Sequence, residues 1–503
     1  MRYFVGTAVL ALFLCQHAFG QARVQGTNIM DADGQPLVLR GANWGGWGCV
    51  DPGDARQMRD LGANCVRIAF QHDKITDPPD SEQIGGEGLA LLDAMCQWAQ
   101  DAGLWFILDY HMPPGGCNPF GWNYGGANRL WRERSLQEKW IAVWTQLARR
   151  YRHHSRLLAY ELLNEPLPPH DSPTKDYRTL CLEVIDALRA EDPGRPIVVS
   201  DRHCSSISGL DTALLPRANL IYTFHFYSPG IVTYWQIPEG RYPGVWPVVR
   251  EWLSNTPEDW GASGNTDWHA LEQTFQPPAE ATHGEVLLRS TRNAGTAWFD
   301  DVELWCDGEA VPFADNTDFS PERKSAGWTV ERVTAGEFVW DGEEGHAAPG
   351  ALRIRGTGSY NSFLAAKRFR ATPGGQYVLR CWVKTRAATG HTYPVVAWHR
   401  HQEELVDADW LECGLRPAAE FRDRQQVPVY CGEFGCAQPT TGDGARWVAD
   451  VASILNRYAI PWTYWNWRET TGPGSMGVWV HDAEKKYVLQ EALFESVSRA
   501  WRE

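Results

Sequence analysis

Short apolar runs alternate with longer amphipathic ones over two stretches of the chain. Leu37–Arg40 reads as a first strand, followed by a helix over Asp54–Leu61. Cys65–Phe70 reads as the second strand, Leu89–Ala102 as a helix, Trp105–Tyr110 as the third strand and Leu136–Tyr151 as a helix. Leu158–Leu162, Ile197–Ser200 and Ile221–Phe226 supply strands four, five and six, with a helix over Tyr177–Ala190. Apolar strands of this length between amphipathic helices predict a parallel sheet covered on both faces. The rhythm stops after Phe226. It resumes with helix Trp410–Arg424, strand Val429–Glu433, helix Arg446–Tyr458, strand Trp462–Trp467 and helix Leu489–Trp501. Eight strands is the count of a (β/α)₈ TIM barrel.

The interruption, 264–402, has a different pattern. Glu285–Arg289, Ala297–Leu304, Ala351–Arg355 and Gln376–Val383 are short alternating runs between Gly and Pro turns, without helical periodicity. They predict an antiparallel β-sandwich, a jelly roll. It lies in the loop after strand six, splitting the barrel into 21–263 and 403–503. In such barrels these loops build the catalytic face, so the module is expected to overhang the site.

Residues 1–20 are expected to be a signal peptide. Arg2 precedes an apolar run from Tyr3 to Leu14 and a small-x-small pattern at Ala18-Phe19-Gly20, with cleavage after Gly20 or, second, Ala22. The run is too short for a membrane span, and the expected location is outside the cell or in the periplasm. Loss of Cys15 leaves an odd number of cysteines, of which Cys49, Cys65, Cys96, Cys181 and Cys431 sit in apolar surroundings and read as small core residues.

Of 503 residues, 43% are hydrophobic and 22% charged, as in a protein with real cores. The net charge of -15 and the lack of a basic block disfavour nucleic acid or an anionic membrane as partner. The 26 tryptophans are far more than usual, and a flat indole face suits the C–H face of a sugar ring. A monomer acting on a polysaccharide or oligosaccharide is the expected state.

Function in a barrel sits at the C-terminal ends of the strands. Those positions hold Asn43 and Trp44, Arg67, His111, Asn164 and Glu165, His225 and Tyr227, Glu433, and Trp465. Strands four and seven face one another across a barrel mouth, so Glu165 and Glu433 form a candidate carboxyl pair for glycosidic cleavage. Taken singly, these residues have plainer readings. Asn-Glu-Pro suits the start of a helix, His111 and His225 suit structural roles, and Arg67 suits an ion pair. Trp122, Trp235 and Trp467 are equally platform or packing, and His203-Cys204 has no partner at ligand spacing and reads as structural.

Together the segments resemble the cellulase-type glycoside hydrolase family 5. Leu162-Leu-Asn-Glu-Pro166 is similar to its acid/base motif and Val429-Tyr-Cys-Gly-Glu-Phe-Gly435 to its nucleophile motif. Asn64–Arg67, Asp109–His111, His225–Tyr227 and Trp462–Trp465 are similar to the supporting blocks, in the family's order. The resemblance implies Glu165 as acid/base and Glu433 as nucleophile, with Arg67 and Tyr227 holding Glu433 ionised. It further implies that Asn164 bonds the sugar 2-hydroxyl, that His111 and His225 line the bond-breaking subsite, and that Trp465 is its floor. No catalytic cofactor or metal is implied. A secreted, retaining endo-β-1,4-glucanase is the leading reading. Arg40–Trp47 is also similar to exo-β-1,3-glucanases of the family, a β-mannanase is a third option, and a non-catalytic sugar-binding protein is the rival of another class.

The inserted segment resembles carbohydrate-binding jelly rolls, but Ala297–Leu304, similar to their closing strand, comes before Gly327–Val330, Ala351–Ile354 and Pro373–Tyr377, similar to their opening strands. A circular permutation rejoined near Asp307–Asp318 accounts for this order. Trp268, Trp298, Trp328, Trp382 and Trp398 are its candidate sugar platform. A structural calcium, frequent in such modules, is allowed but no compact acidic loop demands it.

Overall fold

A computed structural model describes residues 21–503 except 48, 120–127, 170–173, 234–240, 257–259, 333–335, 357–360, 366, 438–441, 471–474, 482–483 and 485. The expected signal peptide, Trp122 and Trp235 therefore lie outside the described residues. Eight parallel strands close a barrel: β1 Arg40–Trp44, β2 Cys65–Gln71, β3 Trp105–Met112, β4 Leu157–Glu161, β5 Ile197–Val199, β6 Leu220–Phe226, β7 Val429–Phe434 and β8 Trp462–Tyr464. The barrel closes where β7 pairs with β6 on one side and β8 on the other.

The strands are short and largely buried, and amphipathic helices follow most of them. In the helix Arg134–Tyr151, Leu136, Trp140, Val143, Trp144, Leu147, Ala148 and Tyr151 recur at three- and four-residue spacing and are buried. Asp176 caps Tyr177–Glu191 by accepting from the Thr179 amide at 3.1 Å. The hairpin Arg23–Gln25/Asn28–Met30 joins one end of the barrel. Ala22 and Ile29 pack there with Leu39, Cys65, Trp105, Leu158 and Ile221, all near the strand starts. That end is filled by side chains, which leaves the strand C-termini for chemistry.

Strand one differs from the expectation by a half-strand. It runs Arg40–Trp44 rather than Leu37–Arg40, because Leu37 and Leu39 join the packing at the filled end. Trp44 is consequently inside β1 and only 1% exposed. Its expected role against substrate is corrected: it is a core residue. Trp467 is likewise buried and packs against Trp501, ring centroids 5.7 Å apart.

The second compact unit is Pro243–Asp407. Its first strand, Gly244–Asn255, begins well before the expected boundary at 264. All its ladders are antiparallel, and one long strand, Tyr377–Val406, belongs to both halves. The first part of that strand pairs with Thr296–Cys306 and Ala262–Phe275, and its second part with His283–Thr291 and Gly244–Asn255. The strands Ala351–Gly356 and Gly336–Asp341 extend one half, and Asn361–Ala365 and Trp328–Arg332 the other. Between them lies a core of Val286, Leu288, Phe299, Leu304, Leu352, Phe363, Leu379 and Val396. The second unit is antiparallel, and in it Thr296–Cys306 pairs with Ala351–Gly356 and with Tyr377–Val406.

Trp328 and Trp398 belong to this core, so the five tryptophans make no common platform. Trp298 is 8% exposed, and Trp382 lies under His346, ring centroids 3.5 Å apart.

Candidate active site

Arg67, in the middle of β2, is fully buried at the strand C-terminal end of the barrel. An isolated buried guanidinium would be very costly, and here every N–H has an acceptor. Nε and Nη2 donate to the two oxygens of Glu161, both at 2.8 Å. Nη2 also reaches Asn164 Oδ1 at 2.9 Å, and Nη1 donates to Asn43 Oδ1 at 2.9 Å and Glu433 Oε1 at 2.7 Å. Five bonds exhaust the donors of an arginine. Asp109 adds a third carboxylate at 3.1 Å. These charges hold Arg67 well above its ordinary range despite burial.

Two of the three carboxylates around this cation, Glu161 and Asp109, are raised by burial. Burial pushes Asp109 up to about 7, against the pull of Arg67 and with a further push from Glu165. Sequence reasoning missed Glu161 and gave Asp109, present in the Asp109–His111 block, no role of its own. The available signal was a charged residue facing inward within an apolar strand, which needs a partner: Glu161 ends β4, and Asp109 is two residues from His111 on β3.

Glu433 takes a second hydrogen bond from the Tyr227 hydroxyl to Oε2, at 2.8 Å. Glu165 meets His225 Nδ1 through Oε1 at 2.8 Å, and the same nitrogen lies 3.5 Å from Glu433 Oε2. One oxygen of each glutamate and one nitrogen of His225 all lie within 4.8 Å of one another. Burial raises the Glu165 carboxyl, with His111, a Cys204 hydrogen bond and Arg67 pulling the other way. Burial also lowers His111 and His225 to about 4, so both rings are neutral near pH 7.

His111 is held by Asp109 Oδ2 through Nδ1 at 2.8 Å and stacks on Trp465, ring centroids 5.0 Å apart and planes 12° from parallel. Gly45 is needed here because a Cβ at that position would overlap the Trp465 ring at Cη2. Asn43 is buried and ties β1 to the turn of the site, donating to the carbonyls of Gly432 at 3.0 Å and Tyr464 at 3.2 Å. It supports Arg67 rather than lining the opening.

Above these residues is a cleft of about 640 Å³ lined by His111, Asn164, Glu165, Tyr227, Glu433 and Trp465. Gly45, Trp47, Gln71, Lys74, Glu469 and Met476 complete its walls. A neighbouring groove of about 480 Å³ shares Trp47 and Lys74 with it and continues past Asp73, Thr76, Asp77 and Glu87. Trp47 thus takes the cleft position expected of Trp44.

The Glu165–His225–Glu433 group is also the one set of three such ligand groups at cation spacing among the described residues. Arg67 supplies positive charge to Glu433 at 2.7 Å. Within the described part of the sandwich no three acidic, His or Cys groups converge in that way. Two facing carboxyls, one bonded by Arg67 and Tyr227 and one raised by burial, can divide nucleophilic and acid work between them.

Residues 30–268 match the family model for cellulase, glycosyl hydrolase family 5. A β-xylosidase of Phanerodontia chrysosporium is 27% identical over 252 residues, covering 41% of this chain and 52% of the relative. Endoglucanase C of Acetivibrio thermocellus is 24% identical over 216 residues, 41% of this chain and 61% of the relative. A probable glucan 1,3-β-glucosidase A of Aspergillus fumigatus is 31% identical over 157 residues, 31% of this chain and 37% of the relative. The chain spans about half the length of the first of these relatives.

Proposed function

We propose, from the premise that this chain belongs to the cellulase family of glycosyl hydrolases, family 5, that it is a secreted retaining β-glycosidase cutting β-1,4-glucan internally. The observation that carries the reaction class is the pair Glu165 and Glu433, with carboxylate oxygens within 4.8 Å. Retaining enzymes hold their carboxyls about 5–5.5 Å apart, whereas inverting ones leave room for a water at about 6.5–9.5 Å.

Glu433, oriented by Arg67 and Tyr227, attacks the anomeric carbon as the bond to the leaving oxygen breaks. Glu165 gives its proton to that oxygen. The glycosyl-enzyme ester no longer carries the Glu433 charge, so Glu165 becomes more acidic. It then takes a proton from water, whose oxygen displaces Glu433. Asn164 is placed to bond the sugar hydroxyl beside the anomeric carbon, and the His111–Trp465 stack forms the floor. The reaction needs no cofactor beyond these groups and water.

Internal cutting is supported by the groove that continues from the cleft past Trp47 and Lys74, which leaves room for sugars beyond the one being cleaved. The viscosity of carboxymethyl-cellulose is the test, with Glu433→Gln as control. A rapid fall abolished in the variant is expected. An unchanged viscosity with release of glucose from β-1,3-glucan would replace this reading with the exo-β-1,3-glucanase. That alternative draws on the Arg40–Trp47 block and the likeness to a relative named as a probable glucan 1,3-β-glucosidase.

A further inference from the structure

The Glu165-Pro166 step departs from what its sequence favours. A residue before proline is pushed to extended backbone by the proline ring, yet Glu165 lies in the left-handed region, at φ +42°. A residue with a Cβ persists there only where its surroundings hold it. The residues on either side are fixed by bonds of their own. The Asn164 amide donates to the carbonyl of Tyr110 at 3.1 Å, the Cys204 amide to that of Pro166 at 3.0 Å, and the Leu167 amide to that of Cys117 at 3.0 Å. The peptide of Glu165 itself is reached by Asn118. That side chain is fully buried in the loop after β3, and its Nδ2 donates to the Glu165 carbonyl at 3.0 Å. The loop is in turn held against the Glu165 segment. Trp131 Nε1 donates to the Cys117 carbonyl at 2.8 Å, and the Cys117 thiol donates to the carbonyl of Asn164 at 3.4 Å. Asn118 stands in none of the sequence blocks that carry the family resemblance.

We propose that Asn118 is a positioning residue for Glu165, locking the left-handed backbone that aims its carboxyl at the leaving oxygen. The inference rests on the reading of Glu165 as acid/base. With Asn164 and Leu167 anchored, the backbone torsions of Glu165 set where its side chain points. In the observed conformation Oε1 meets His225 Nδ1 at 2.8 Å, and a carboxyl oxygen lies within 4.8 Å of one from Glu433. Without the Asn118 donor the Glu165 carbonyl loses that partner, and rotation of φ back to negative values relieves the strain. The same rotation swings the Cβ, and the carboxyl with it, off His225 and out of reach of the oxygen to be protonated. A general acid acts only within hydrogen-bond reach of its target, and a misplacement of about 1 Å can cost on the order of 10²-fold in rate. Glu433 is held separately, by Arg67 and Tyr227, so the loss falls on protonation of the leaving group rather than on attack at the anomeric carbon.

The test uses Asn118→Ala, which removes the donor, and Asn118→Leu, which keeps a branched side chain in the buried position without a donor. The readout is kcat/KM for phenyl β-cellobioside, whose leaving group needs a proton, divided by that for dinitrophenyl β-cellobioside, whose leaving group does not. Both variants are expected to lower this ratio by roughly 10–100-fold, with the dinitrophenyl substrate itself changed by less than about threefold. In whichever variant folds, an unchanged ratio overturns the proposal, including the case in which both substrates fall equally, the mark of a residue that only supports the fold. Failure of both variants to fold overturns it as well, because the bond would then serve barrel stability rather than the aim of Glu165. Glu165→Ala on the same two substrates tests the underlying assignment separately. Loss on the phenyl substrate with retention on the dinitrophenyl one upholds it, and equal loss on both removes the acid role whatever Asn118 does.

Discussion

Replacing Asp109 by asparagine should change the pH dependence of stability in a calculable way. In the folded protein burial pushes Asp109 up to about 7, against about 3.9 for an aspartate in an unfolded chain. A carboxyl raised on folding contributes its full stability below the unfolded value and loses it as pH rises through the folded one. At 1.36 kcal/mol per unit, the three-unit gap amounts to about 4 kcal/mol lost between pH 4 and pH 8. The asparagine side chain would stay neutral throughout. It can keep the acceptor that His111 uses at Asp109 Oδ2. Its amide nitrogen would occupy the place of Oδ1, a buried atom with no partner among the described residues, at a pH-independent cost of about 1–3 kcal/mol.

The variant is therefore expected to melt below the wild type at pH 4 and to draw level with it or pass it by pH 8. With about 2 cal/mol/K of unfolding entropy per residue and roughly three hundred residues in the barrel, 4 kcal/mol corresponds to a relative swing of about 6 °C. Thermal unfolding of both proteins across pH 4–9 measures it directly. His111, lowered to about 4, stays neutral over most of that range and does not mask the effect. A Tm difference that stays constant with pH would refute the reading, because it would mean that Asp109 is already ionised at acid pH beside Arg67.

Glu165→Gln should lower turnover of substrates with poor leaving groups by about 10²–10⁴-fold, as loss of a general acid does; comparison with an activated aryl glycoside gives the measure. Gly45→Ala should raise KM with little loss of Tm, since its Cβ would overlap the Trp465 ring and displace the floor, itself held by His111; kinetics and melting on the same samples check this. Trp47→Ala should weaken action on long oligosaccharides more than on short aryl glycosides, because it stands where cleft and outer groove join. Trp398→Ala should cost the sandwich about 3–5 kcal/mol, the range for deleting a buried aromatic, and denaturant unfolding followed by a probe in that unit reads it.

The barrel and its glutamates were legible because apolar spacing reports strands and helices, and chemistry-bearing side chains gather at strand ends. Arg67, Glu165, Tyr227 and Glu433 meet at the strand C-terminal end of the barrel. What the pattern hides is pairing across the barrel. Glu161 and Asp109 look like polar punctuation in apolar strands until Arg67 is seen to require them. Trp44 was misplaced by a shift of a few residues in one short strand, since apolar content alone does not say which part of Leu37–Trp44 enters the ladder. The sandwich boundary was set late because Gly244–Asn255 contains Pro247, which weakens a strand signal in sequence. In the structure that strand pairs only with Tyr377–Val406 among the described elements, an edge position that tolerates proline.

The pairing of Gly244 with Val406 has a consequence for how the barrel assembles. Strands β6 and β7 must meet although about two hundred residues separate them, and the entropic penalty of closing a loop grows as (3/2)RT ln n. Once the sandwich is formed, its entrance and exit are adjacent partners in one ladder. The free length between β6 and β7 shrinks to about forty residues, which removes about 1.4 kcal/mol of closure penalty. A sandwich that folds as soon as it leaves the ribosome would then act as a clasp, delivering the last quarter of the barrel to a seam that the first three quarters have left open.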